Sequence, residues 1–282
     1  IMLIQTQNIP TEYSELIERI EARDIHLSFS SLKAFRQSPR HFLRYKLRKF
    51  EPTKAMNEGS VIDILLTEPN KLSSKVLIIN SSCALNSWDG VKAYCHELEI
   101  DVTESNMRNQ AAIVKNILDK EDRIIISEDD LAVCQNVADR VINNPASGWL
   151  FDRDNDFQVP VAFNDLGWDF KGMIDAEMTG VCRADGKKMA DASFKSVVRT
   201  IKKMWYDGQA AIYSHENPMP YFVVAYDLQG NVSVTEITDA SIRLAWEQVE
   251  KTVEKLEECI HYGYWFKSYD FWAWSESGIY KF

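Results

Sequence analysis

Apolar positions change period along this chain, and the change divides it. Residues 11 to 22 place Leu16, Ile17 and Ile20 on one face at helical spacing. Ser30 reads as an N-cap with Leu32, Phe35 and Arg36 behind it, and Pro39 reads as the first turn of the next helix. Residues 53 to 69 read as a loop, a glycine and a short helix ended by Pro69, with Asp63 inside the apolar run V-I-D-I-L-L. K-V-L-I-I-N and R-I-I-I-S read as strands, and Val91–Glu99 and 109–119 as helices. Ser127 caps a further helix carrying Leu131, Cys134, Val137 and Val141, stopped at Pro145.

Beyond about residue 155 the pattern becomes strand-like. F-Q-V-P-V-A-F-N and W-D-F-K-G-M-I-D-A-E-M form two strands around a turn at 164–167. R-A-D-G-K-K reads as a second turn, leading into a short strand from Met189 to Val197. A helix through Gln209 and Tyr213 follows. Next come a hairpin turning at Gln229–Asn231, a long helix from about Asp239 to Tyr262, and an aromatic tail expected to cap the sheet or meet another subunit. The predicted fold is α/β, or α+β: a central mixed sheet flanked by helices. It is one domain over 1–282, with a helical region at 11–145 and the sheet core at about 155–237. No repeat or low-complexity linker divides it.

Composition narrows the function. The chain has 282 residues, 26% charged, with a formal net charge of −10. A general basic coat for nucleic acid is excluded, so any such contact needs a local patch. One exists: eight Lys or Arg against one acid between Lys33 and Lys54, including Lys33, Arg36, Arg40 and Arg44, interleaved with aromatics. A solvated helix face and a phosphate-contacting surface are both open readings of it. Five scattered cysteines form no C-x-x-C pair, which suits reduced thiols in a cytoplasmic protein. No apolar run approaches the ~20 residues that span a bilayer, so no membrane is expected. P-loop, G-x-G-x-x-G and G-x-S-x-G motifs are lacking, which argues against common small-molecule chemistries.

The candidate chemistry lies between Phe170 and Tyr213. Asp175 ends a hydrophobic strand pattern, Lys195 falls in the next predicted strand, and Gln209 and Tyr213 share one helix face. An acid, an amine and an amide so placed suit a cation and a phosphodiester.

In this order S-S-L-K, S-P-R-H-F, A-M-N-E-G-S, L-L-T-E-P, K-G-M-I-D, F-K-S-V and Y-D-G-Q-A-A-I-Y resemble the phage-type exonucleases related to exonuclease VIII. Those belong to the PD-(D/E)XK nuclease superfamily. The resemblance spans roughly Leu27 to Tyr269. It implies a restriction-endonuclease-like core and Mg2+- or Mn2+-dependent exonuclease action on linear double-stranded DNA ends, in phage recombination or replication. It also implies assembly into rings (a homo-oligomer), a single-strand annealing partner and, for a phage protein, a host cytoplasm.

By the same resemblance Asp175, Lys195 and Gln209 are the catalytic set, and Tyr213 joins the basic residues in contacting DNA. Asp63 stands where a His is usual, and Gln158 roughly where an acid is usual. Ser193 replaces the acid expected two residues before Lys195. Asp63 and Asp191 are therefore the candidates to complete a metal site with Asp175. An active nuclease and a catalytically decayed module that only binds DNA or protein are the two readings left open.

Overall fold

The computed structural model describes residues 11–47 and 52–266. The aromatic tail beyond Phe266 and the basic residues Arg48 and Lys49 lie outside the described residues. In chain order the helical region runs α1 (Thr11–Glu21), β1 (His26–Leu27), α2 (Phe29–Gln37), α3 (Pro39–Lys46), α4 (Lys54–Thr67) and α5 (Leu72–Lys75). It continues with β2 (Val76–Ile79), α6 (Trp88–Glu97), α7 (Met107–Leu118), β3 (Ile124–Ser127) and α8 (Glu128–Asn143). The remainder is β4 (Asp156–Asp165), β5 (Trp168–Met178), β6 (Cys182–Lys188), α9 (Phe194–Met204), α10 (Tyr206–Tyr213), β7 (Tyr221–Tyr226), β8 (Val232–Ile237) and α11 (Asp239–Tyr262).

Caps set several boundaries. Ser28, not Ser30, caps α2, because Ser28 and Ser31 exchange side-chain bonds with each other's backbone N–H in a capping box. Ser38 caps α3, whose first residue is Pro39. Thr53 caps α4, which starts ahead of Gly59 and is longer than its sequence pattern indicates.

The main sheet is mixed, in the order β1-β5-β6-β7-β8, with β4 antiparallel to β5 on its other edge. β6 and β7 run parallel, while β5–β6 and β7–β8 are antiparallel. A separate parallel pair joins β2 to β3. Both faces of the main sheet are covered. On β7, Tyr221, Val223 and Ala225 point into a core shared with α2, α10 and α11, while Val224 and Tyr226 point into one shared with α4 and α8. The mixed sheet flanked by helices is the predicted architecture.

Two elements differ from the sequence reading, and both bear on the site. The stretch R-A-D-G-K-K is strand β6, not a turn. Its polar residues are tolerated in a central strand because each has a partner: Arg183 ion-pairs with Glu177 at 2.7 Å, and Lys188 pairs with Glu58 of α4. The predicted strand from Met189 to Val197 is instead a loop followed by α9. Asp191 accepts from the Ser193 N–H at 2.8 Å and from its hydroxyl at 3.0 Å, a local turn that ends extended structure.

Candidate active site

Strand β5 separates from its neighbour at one point, and the site is built there. β5 pairs with β6 only through Ala176–Met178 against Cys182–Ala184. One residue past that pairing, Asp175 and Asp185 flank the fork. Asp175 Oδ2 accepts the Gly186 N–H at 2.9 Å, so a carboxylate continues the bonding where the ladder stops.

Asp185 and Lys187 are two apart on β6 and so share a face. The Lys187 ammonium ion-pairs with Asp185 Oδ2, and Gln209 Nε2 of α10 donates to Oδ1 at 2.8 Å. Asp185 is only 1% exposed, so these two partners carry its charge. Tyr206 lies over Lys187, its ring centroid 5.2 Å from Nζ, and Lys33 of α2 lies 5.3 Å from the same ring.

Asp63 of α4 completes the group electrostatically. Burial first, then the Asp185 charge, pushes its carboxyl up to about 6. Asp175 is raised well above the usual carboxylate range by burial and then by Asp185 and Asp63, against the pull of Lys187 and the Gly186 N–H. Burial works against the Lys187 charge, but Asp185 and Asp175 outweigh it and hold the amine protonated. Three carboxylates thus share a desolvated space with one ammonium. Among the described residues no three His, Cys, Asp or Glu side chains stand as a ready-made metal cage. The excess negative charge and the hard oxygen donors nevertheless fit a divalent cation of the Mg2+ class.

The residues singled out by sequence divide into those the fold gathers and those it does not. Asp175, Asp63 and Gln209 come together. Lys195 does not: it is exposed on α9, a helix rather than a strand, and Asp191 is spent on Ser193. Ser193 therefore replaces nothing at this site, since the acid two residues before the buried lysine is Asp185. Gln158 does lie opposite Asp175, bracketed by the pairs Phe157–Ala176 and Val159–Ile174. Its backbone is left-handed (φ 52°) and its amide donates to Thr67 at 3.3 Å.

Tyr213 is buried rather than facing DNA. Its ring packs where a Cβ on Gly172 would be, only 2.3 Å from Cε1. Of the basic residues, Lys33 reaches the site, and Arg36 lies 4.2 Å over the Trp205 ring and bonds to Gln248. Arg40 and Arg44 are exposed on α3, and among the described residues no contact joins them to the site. Asp185, Lys187 and Tyr206 were missed. The D-G-K spacing itself was the available signal.

No helix among the described residues is long and apolar enough to cross a membrane. No curated protein matches the chain. A crystal structure of a "putative exonuclease" from Eubacterium rectale superimposes with a TM-score of 0.57 at 16% identity, covering 90% of this chain and 87% of that one, a likeness of fold. The model of the PDDEXK-like domain of unknown function DUF3799 matches residues 28–267, and by that match the chain belongs to this PDDEXK-like family.

Proposed function

We propose that the protein is a metal-dependent deoxyribonuclease that degrades linear double-stranded DNA from its ends. The observation that carries this is the fork between β5 and β6, where Asp175, Asp185 and Lys187 meet with Gln209 behind them. Asp63, Asp175 and Asp185 would hold the cation, Mg2+ or Mn2+. Such an ion, when bound, polarises a phosphate oxygen and lowers the pKa of water.

The chain's own residues supply the rest. Lys187, kept protonated by Asp185 and Asp175, offers a fixed positive charge to the water or to the charge developing on phosphate. Gln209 holds Asp185 in orientation through its amide N–H. Lys33 places a second cation beside Tyr206 for the phosphate backbone. Arg40 and Arg44 extend the basic surface away from the site along α3. The family resemblance extends the proposal to phage recombination or replication in a host cytoplasm, to ring assembly, and to a strand-annealing partner.

The test uses linear and covalently closed circular duplex with Mg2+ or Mn2+. Linear DNA is degraded and the closed circle survives. Lys187→Ala lowers the cleavage rate by about a hundredfold or more. Undiminished DNA with the wild-type protein, in either ion, overturns the proposal.

A further inference from the structure

Helix α9 presents a solvent face that carries no acid. Its exposed positions are Phe194, Lys195, Val198, Arg199, Lys202 and Lys203. Lys202 is occupied by Asp207 at 2.6 Å. No ion pair among the described residues engages Lys195, Arg199 or Lys203. They recur every four residues, so they form one row with steps of about 6 Å along the helix. Phe194, at the start of this helix, is 71% exposed, and Val198 lies one turn behind it. A basic row edged by an unpacked aromatic is a costly surface to leave bare, and it opposes the chain's net charge of −10.

Both ends of α9 are tied to the candidate site. Five residues separate Lys188 from Phe194, and within them the Ala192 N–H donates to Asp227 Oδ2 at 3.1 Å. At the other end Trp205, in the left-handed conformation (φ 59°), turns the chain directly into Tyr206, whose ring lies over Lys187. Both connections between α9 and the site elements are thus short, and each is anchored.

We propose that the exposed face of α9 holds the DNA strand engaged at the Asp175–Asp185–Lys187 site, with Lys195, Arg199 and Lys203 on its phosphates and Phe194 stacked on a base. This rests on the nuclease reading and adds to it a strand-binding surface. Evenly spaced cations follow a backbone without reading sequence, and an aromatic face accepts any base. Short connections to the elements of a site for phosphodiester chemistry favour DNA over an acidic protein segment.

The experiment measures binding of fluorescently labelled single-stranded and duplex oligonucleotides by anisotropy, in EDTA so that no cleavage intervenes. Wild type is compared with the triple variant Lys195→Gln, Arg199→Gln, Lys203→Gln and with Phe194→Ala. All four side chains are exposed, so thermal melting stays at the wild-type value. In the triple variant the slope of log affinity against log salt for single strands becomes shallower by about 2, since each lost phosphate contact removes about 0.7. Phe194→Ala weakens single-strand binding about tenfold with the slope unchanged.

Wild-type affinity and slope in the triple variant, alongside wild-type protein that binds and degrades DNA, overturn the α9 assignment, leave the nuclease reading standing and give the face to a protein partner. Wild-type protein that neither binds nor degrades DNA removes the nuclease reading itself.

Discussion

Asp185 is divided between two partners: Gln209 donates to one oxygen and Lys187 ion-pairs with the other. Charge-assisted bonds of this kind gain strength where water is excluded, and Asp185 is buried. Lys187→Ala therefore leaves an uncompensated carboxylate as well as removing a cation from the reaction. It is expected to lower the cleavage rate by about a hundredfold or more, measured as initial rate on linear duplex at saturating metal. At this scale the sequence disclosed half the site. Asp175 and Gln209 were legible because a hydrophobic strand ends at one and a helical period carries the other. Asp185 and Lys187 were hidden because Ala-Asp-Gly-Lys has the composition of a turn. The ladders to β5 and β7 and the ion pairs of Arg183 with Glu177 and Lys188 with Glu58, all invisible in a linear reading, make that stretch a strand. Lys195 took the vacant role because Phe-Lys-Ser-Val alternates like a strand while in fact starting a helix.

Elements are joined at the site by contacts that leave little tolerance. Arg183 of β6 pairs with Glu177 of β5 and donates to the carbonyls of Tyr213 and Asn217 at 2.5 and 2.9 Å, so one side chain ties two strands to the end of α10. Glu177→Gln breaks the pair and leaves a buried guanidinium. A loss of about 3–5 kcal/mol is expected in urea unfolding. Gly172 of β5 lies under the Tyr213 ring with no room for a Cβ. Gly172→Ala forces α10 and β5 apart at a cost of about 1–3 kcal/mol, and because Gln209 rides on α10 the same change should also slow cleavage. Retention of wild-type melting by Gly172→Ala would show that the ring moves aside freely. Most elements were legible because their periods and caps agree, as in α8, β4, β5 and α11. β1 was not, because two residues carry no period. Its pairing with β5 is set by tertiary contact alone.

Across the whole molecule the fold tolerates a local excess of negative charge that a cation would relieve. Asp63 is raised to about 6 and Asp175 is also raised well above the usual carboxylate range, so in the metal-free protein their ionisation opposes folding. The sign follows from linkage: an acid whose native pKa exceeds its unfolded value, here 3.8 for Asp63, contributes stability that is complete below that value. That contribution is lost as pH rises through about 6. Metal-free protein should therefore lose this contribution between roughly pH 4 and 6. Asp63→Asn should melt higher than wild type at pH 8 in EDTA. Added cation acts in the opposite direction, because it binds the ionised set. At a hundred times its dissociation constant it contributes about 2.7 kcal/mol to the native state, a rise of several degrees in Tm. That rise should be largest at pH 8, shrink as pH falls below about 6 where Asp63 takes a proton, and vanish in Asp185→Asn. Melting curves with and without Mg2+ or Mn2+ across this range decide the matter. A metal-induced shift of equal size at pH 5 and pH 8, or one that survives Asp185→Asn, would place the cation somewhere other than the fork between β5 and β6.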